Sequence, residues 1–454
     1  MRSFVSLGLF ACFISLVSAA ISCNSSNHCP EDSPCCSQYG TCGTGSYCLG
    51  GCDIRYSYNL SACMPMPRMS SIKDSFASID DIENQSEYLG NSSEATWVYT
   101  GYIDSHDDAL LLQMPNGSTG TVVSSTEYFL FGKVGATMKS SRDRGVITAF
   151  ITFSDVQDEI DYEFVGYNLT NPQTNYYAKG ILNYTNLRNS SVSNTFSDWH
   201  YYEIDWQEER IVWLIDGNEV RTLERDDTYN ATTDRYDYPQ TPARLQFSLW
   251  PGGSSLNGLG TIEWAGGAIN WDSQDIQDFG YYYAYVKNVT VIPHDLPDSV
   301  QKLGNSSLNA FLYNSTAGNL ENVYLTNKKT WLGSGDATGF DPENEDDDLL
   351  ETTEIVSLSA SSAVTKTSVK TKSASTTSVN VPGQDATNGG TTDEGTTASY
   401  TGGFVQNSKK TSSGSSSSGS SSPSSSLSGA YRSQVESIVA VFVALGAAMF
   451  TFGL

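Results

Sequence analysis

Six consecutive residues, Asp158-Glu159-Ile160-Asp161-Tyr162-Glu163, carry most of this chain's capacity for chemistry. Read as a β-strand, they turn Glu159, Asp161 and Glu163 to one face, and Ile160, Tyr162 and the following Phe164 to the other. Like charges on one face repel and weaken a sheet. Crowding also raises carboxyl pKa values and can separate an ionised nucleophile from a protonated acid. Four residues of strand span about 13 Å, and two glutamates leaning together on a concave sheet approach the ~5–5.5 Å carboxyl separation of retaining glycosidases. In such a pair one Glu attacks the anomeric carbon, and the other protonates the leaving oxygen and then activates the acceptor. Asp161, between them, would hydrogen-bond the nucleophile. Alternation alone fits the exposed polar face of an edge strand better than it fits a catalytic site.

The elements that must position these residues read as all-β. From about 69 to 300, strand-like runs alternate with clusters of Gly, Asn, Asp and Pro. Examples are Tyr128–Val134, Val146–Phe153, Trp199–Trp206 and Arg210–Ile215, the last followed by the hairpin signal Asp216-Gly217. A domain of this size with regular short strands predicts a β-sandwich, with an extension to 340 left open. Downstream runs carry tryptophan: Leu249-Trp-Pro-Gly-Gly253 and Ile262-Glu-Trp-Ala-Gly-Gly-Ala-Ile-Asn-Trp271. Such rings suit the apolar faces of pyranoses, although a lone Trp in a strand is more often core. Other chemistries find no pattern. The four histidines, His28, His106, His200 and His294, lack zinc spacing, and His200 beside Trp199 reads as structural. The chain has no Gly-X-Ser-X-Gly nucleophile turn. The acidic run Asp341–Asp348 has no central Gly of a calcium loop. Neither a metal nor a cofactor is expected.

At this point the chain resembles glycoside hydrolase family sixteen. The Glu-Ile-Asp-Tyr-Glu pattern at 159–163 is similar to that family's signature, and Phe196-Ser-Asp-Trp-His200 leading into Tyr202–Trp206 looks like its following strand. Asp158, Ser248-Leu-Trp-Pro-Gly-Gly253 and Glu263-Trp-Ala-Gly-Gly267 resemble its fungal Crh-type cell-wall transglycosylases. The resemblance covers roughly 70–300 and implies a β-jelly-roll with a concave cleft. It implies Glu159 as nucleophile, Glu163 as proton donor and Asp161 as assistant. Glu163, Trp250 and Thr261 match positions lining the sugar subsites, with Arg244, Trp264 and Trp271 as weaker matches.

Of nine cysteines, Cys12 lies in the N-terminal apolar stretch and the other eight fall between Cys23 and Cys63. That density implies disulfides, and spacing alone leaves the connectivity open. The run Cys35-Cys-Ser-Gln-Tyr-Gly-Thr-Cys-Gly43 resembles hevein-like chitin-binding modules of family eighteen. The resemblance implies a small disulfide-rich module over 21–65 with the pairs Cys23–Cys36, Cys29–Cys42, Cys35–Cys48 and Cys52–Cys63. It also assigns Ser37, Tyr39 and Tyr47 to an N-acetylglucosamine site. Thr41 stands where such modules usually carry a second aromatic, which should weaken stacking by about 1 kcal/mol. A structural knot that no longer binds is the alternative.

The ends read as addresses. Residues 1–20 have a charged start, an apolar run from Phe4 to Val17 and the small residues Ser18-Ala19-Ala20, as in a secretory signal peptide. Asn-X-Ser/Thr sequons recur from Asn24 to Asn314 and predict glycosylation. Residues 355–428 are rich in Ser and Thr, cannot bury a core, and read as a disordered O-glycosylated stalk. The small residues Ser428-Gly429-Ala430, a polar spacer and the apolar run Ile438–Leu454 match a GPI-attachment signal, with Ser428 as the attachment residue and 429–454 as propeptide. Acidic residues outnumber basic ones 51 to 25, which argues against nucleic acid as a partner.

Together these readings predict a secreted, GPI-anchored, monomeric enzyme of the cell wall and outer membrane face. Its expected reaction cleaves a chitin donor and transfers the fragment to a β-glucan acceptor. A chitinase or β-1,3-glucanase that only hydrolyses is the second reading, and a non-catalytic wall-binding glycoprotein is the third. Three crowded carboxylates argue against the third.

Overall fold

The computed structural model of the protein describes residues 20–303 and 307–343. The signal peptide apart from Ala20, the stalk and the GPI signal with Ser428 lie outside the described residues.

Two eight-stranded sheets pack face to face. The sheet expected to be concave runs, in spatial order, Arg188–Asn189, Gln173–Tyr177, Glu159–Val165, Ile147–Ser154, Ala243–Trp250, Thr121–Ser125, Trp97–Thr100 and Ile82–Asn84. The second sheet runs Asn218–Glu224, Arg210–Ile215, His200–Trp206, Gly132–Lys139, Tyr281–Pro293, Ala109–Pro115 and Tyr102–His106, with Ile72–Asp74 also paired to Tyr281–Pro293. The expected all-β jelly-roll sandwich is therefore the fold.

Period-2 patterning explains the layering. His200–Trp206 alternates buried and half-buried residues, as a strand with one face on the core should. Glu159–Val165 is buried at every position, so both of its faces are covered. Ile160, Tyr162 and Phe164 enter the core, where Tyr162 stacks on Phe150 at 6.0 Å and Phe164 meets Tyr202 edge-on at 4.8 Å. The Asp216-Gly217 hairpin forms, with positive φ of 51° and 77° at its two central residues.

Two local readings change. Tyr128–Phe131 precedes the strand Gly132–Lys139 rather than belonging to it. The Trp-bearing run Ile262–Trp271, expected as strand, begins instead inside a short α-helix, Leu259–Trp264. With six residues it is too short to display a helical repeat in the sequence.

The N-terminal module is held by the disulfides Cys23–Cys36, Cys29–Cys42, Cys35–Cys48 and Cys52–Cys63. Residues beyond the sandwich return to it. Ala310–Tyr313 pairs with Met66–Pro67 and with Val323–Thr326, which in turn pairs with Gln301–Leu303. Gly339 N donates to the Ala62 carbonyl at 2.8 Å, and Gly45 N to that of Ala337 at 2.9 Å.

Candidate active site

The carboxylate strand is fixed at its start by a tight turn. Ser154 N donates to the Asp158 carbonyl at 2.9 Å, Asp158 N donates to Ser154 Oγ at 2.8 Å, and Gln157 adopts a φ of 65°. The Asp158 carboxylate accepts from Lys179 N at 2.8 Å, Gln240 N at 2.9 Å and Thr241 Oγ1 at 2.6 Å. Asp158 is thus an anchor that ties three segments together just before the site.

From this anchor the register carries Glu159, Asp161 and Glu163 onto one face of their sheet. Each faces an apolar residue of Ile147–Ser154: Phe153, Ile151 and Ala149 respectively. On the other side they face Tyr177, Asn175 and Gln173. The next strand continues the rows with Arg244, Gln246 and Ser248. The carboxyls lie deep in the sheet face: Glu159 is 3 % exposed, Asp161 1 % and Glu163 8 %, and the apolar strip beside them is buried as well.

Burial is the chief cause of the electrostatics. It pushes the Glu159 carboxyl up to about 8, with the Glu163 charge adding to the rise and a hydrogen bond from Asp161 opposing it. Asp161 is raised well above the usual carboxylate range by burial and by Glu159, with Arg221 pulling the other way. Glu163 is likewise raised well above its ordinary value by burial and by Asp161. Burying two carboxyls side by side favours keeping a proton on one of them. Burial and crowding thus keep the three carboxyls from all being charged at once, so protonated and ionised members can coexist. That division suits a nucleophile and an acid.

The other expected residues are placed as follows. Trp250 lies in the row beyond Glu163, fully buried against Ile147, Val165, Trp264 and Ala265. The Trp264 indole N–H donates to Gln173 Oε1 at 2.8 Å, and its ring sits 6.0 Å from that of Trp250. Thr261 is buried on the short helix. Trp271 packs near Tyr282 on the sandwich core. Arg244 lies two strands from the carboxylates, with its guanidinium engaged by Gln38. In the module, Ser37 Oγ accepts from Thr41 N at 3.3 Å, and Tyr47 packs across Gly43. Tyr39 interacts with Gln38 and Thr100, on the side of the catalytic sheet. His200 is structural: its Nδ1 lies 2.7 Å from Asp216 Oδ2 at the hairpin turn.

Sequence reasoning missed the neighbouring polar row Gln173, Asn175 and Tyr177. Its signal was present as a second polar alternation, Gln-x-Asn-x-Tyr, 14 residues after the first (Glu159 to Gln173). All three carboxylates act on the Tyr177 phenol, which burial raises first. Asn175 hydrogen-bonds Tyr177, whereas Ser248 Oγ and Gln246 Oε1, in the rows of Glu163 and Asp161, are buried without a hydrogen-bond partner among the described residues. Unspent polar groups of this kind around three carboxyls are what an incoming polyhydroxylated substrate would satisfy.

Comparison with known proteins gives the following. The family Glycosyl hydrolases family 16 matches residues 91–266. Crh-like protein UTR2 of Candida albicans is 62% identical over 408 residues, 86% of this chain and 86% of that protein. Congo red hypersensitive protein 2 of Saccharomyces cerevisiae is 47% identical over 334 residues, 73% of this chain and 71% of that protein. Among solved structures, a Crh5 transglycosylase in complex with NAG is 27% identical with a TM-score of 0.49, covering 61% of this chain and all of that one.

Proposed function

The chain belongs to the Crh-like proteins of glycosyl hydrolases family 16, and from that premise we propose that it is a retaining transglycosylase that cuts chitin and joins the fragment to β-glucan. Glu159 attacks the anomeric carbon as Glu163 protonates the departing glycosidic oxygen. The covalent glycosyl–Glu159 ester then waits. An acceptor hydroxyl gives its proton to Glu163 and attacks the same carbon, which frees Glu159 and retains the configuration. Asp161 hydrogen-bonds Glu159 and tunes when it carries charge.

The observation that carries transfer over hydrolysis is the depth at which the carboxyls are buried beside an apolar strip. The carboxyls sit beside the apolar strip Ala149, Ile151 and Phe153 at almost no solvent exposure. A glycosyl ester held there is shielded from water, and an acceptor that binds by its sugar faces has the advantage. Trp250, Thr261, Arg244 and Trp264 belong to this reading as substrate contacts, and Ser37, Tyr39 and Tyr47 as contacts of the Cys-rich module with chitin. So do secretion, the stalk, a GPI lipid at Ser428, a monomeric state and a location in the wall and at the outer membrane face.

The test incubates the purified protein with chitin oligomers and a labelled β-glucan oligomer. Labelled hybrids are the expected product. Shorter chitin oligomers with no labelled hybrid would make the protein a hydrolase.

A further inference from the structure

The Cys-rich module is not loosely tethered. Leu49, Ile54, Ala62, Met64 and Met66 belong to the same buried cluster as the sandwich core. Gly51 N donates to Asp155 Oδ1 at 2.9 Å and to the Tyr128 hydroxyl at 3.0 Å, and Arg55 Nη1 to the Lys179 carbonyl at 3.0 Å. An apolar interface of this kind holds two units in one arrangement.

The module's place on the sandwich gives it a second role. Arg244 and Gln246 stand on the catalytic face, because their register partners Phe153 and Ile151 pair in turn with Glu159 and Asp161. Gln38 reaches down from the module, and its Oε1 accepts from Arg244 Nη2 at 3.0 Å and Gln246 Nε2 at 3.1 Å. Gln38 is 4 % exposed. Beside it, Tyr39 interacts with Thr100, which lies on the same face through Val122 and Ser248. The approach depends on two glycines. A Cβ at Gly50 would stand 2.3 Å from Arg244 Nη1, and one at Gly51, where φ is +85°, would stand 2.7 Å from Gln38 Oε1.

We propose that Gln38 and Tyr39 form the end wall of the catalytic cleft, so that the module fixes how far a sugar chain can extend on the Arg244 side. The proposal rests on the reading of this cleft as a polysaccharide site. Two strand spacings separate Gln38's partners from the carboxylates, about 10 Å. A chain crossing the strands from Glu159 toward Arg244 therefore meets Gln38 after a short stretch. The subsites on this side take the end of a β-linked chain rather than its middle, and the wall residues are specificity determinants that touch the terminal sugar. The face of the module assigned to free chitin is then partly spent on the enzyme's own cleft.

The test uses the full chain, chitin oligomers of increasing length as donors, and a labelled glucan acceptor. In the unmodified protein kcat/KM should stop rising at a short donor length. Gln38→Ala and, separately, Tyr39→Ala should move that limit upward, raising the ratio of kcat/KM for long over short donors about tenfold, the worth of roughly one added contact. Tyr39 is only half-buried, so its variant carries the test if Gln38→Ala folds poorly. An unchanged length profile in both variants overturns the wall. A uniform rise at every length, as for a removable plug, also overturns it. If the unmodified protein releases only shorter oligomers, the transfer reading fails by itself, and the length profile of those products still decides the wall.

Discussion

The two halves of the carboxylate-bearing sheet face bury charged groups in opposite ways. On one side Glu159, Asp161 and Glu163 are packed together with no cation among the described residues hydrogen-bonded to them, and all are raised by burial. Two strands away Arg244 is buried as deeply, yet its guanidinium meets a fitted carboxamide. The first half holds unfavourable electrostatics that a bound substrate can use. The second half gives its cation one fitted acceptor from the module, as a structural joint does, while Arg244 Nε stays without a partner among the described residues. One sheet face therefore contains both a reactive site and a joint, distinguished by whether another part of the chain supplies a fitted partner.

The sharpest break of that contrast is Glu159→Gln. It should lower turnover about ten-thousand-fold by removing the nucleophile, while the thermal midpoint rises at neutral pH because a crowded carboxyl is gone. Initial rates and calorimetry on the same preparation check both. Turnover close to that of the unmodified protein would remove Glu159 from its role. Next in size is Asp161→Asn, expected to cost about a hundredfold in turnover, within the range for a group that assists proton and charge transfer. On the joint side, Arg244→Met should destabilise the fold by about 1–3 kcal/mol, since it removes one of the two donors to the buried Gln38 Oε1. Urea denaturation reads this, and a neutral result would mean that the joint contributes nothing.

The smallest effect is on the pH dependence of stability. The Asp155 carboxyl, buried where Gly51 and Tyr128 hydrogen-bond it, is pushed up to about 7, and Glu159 to about 8. A raised value means that the folded protein keeps a proton the unfolded chain has already released. The stability this contributes is complete below the unfolded carboxyl range, about pH 4. It is lost as pH climbs through about 7 for Asp155 and about 8 for Glu159. The melting temperature should therefore fall from acidic to mildly alkaline pH. Asp155→Asn, which keeps an acceptor for Gly51 and Tyr128, should flatten the lower part of the decline, and Glu159→Gln the upper part.

How much was legible in the sequence differs between the same two halves. The alternation at 159–163 is local, so period-2 reasoning put the three carboxyls on one face without further help. The hairpin at Asp216-Gly217 was legible for the same reason: its positive φ angles are demanded by two adjacent residues. The joint was not legible. Gln38 and Arg244 meet across 206 residues of chain, and neither lies in a pattern that announces the other. The sequence singled out Arg244 only through its match to a sugar-subsite position, which says nothing of Gln38. The helix at Leu259–Trp264 escaped because fewer than two turns leave no repeat to find.

Residues 301–343 end against the Cys-rich module, through the Gly339–Ala62 and Gly45–Ala337 bonds. The chain that continues past Glu343 therefore departs from beside that module rather than from the far side of the sandwich. Tension applied through it would load these few backbone bonds first and reach the sheets only afterwards. The part of the protein closest to such a mechanical load is also the part that holds Gln38 against Arg244.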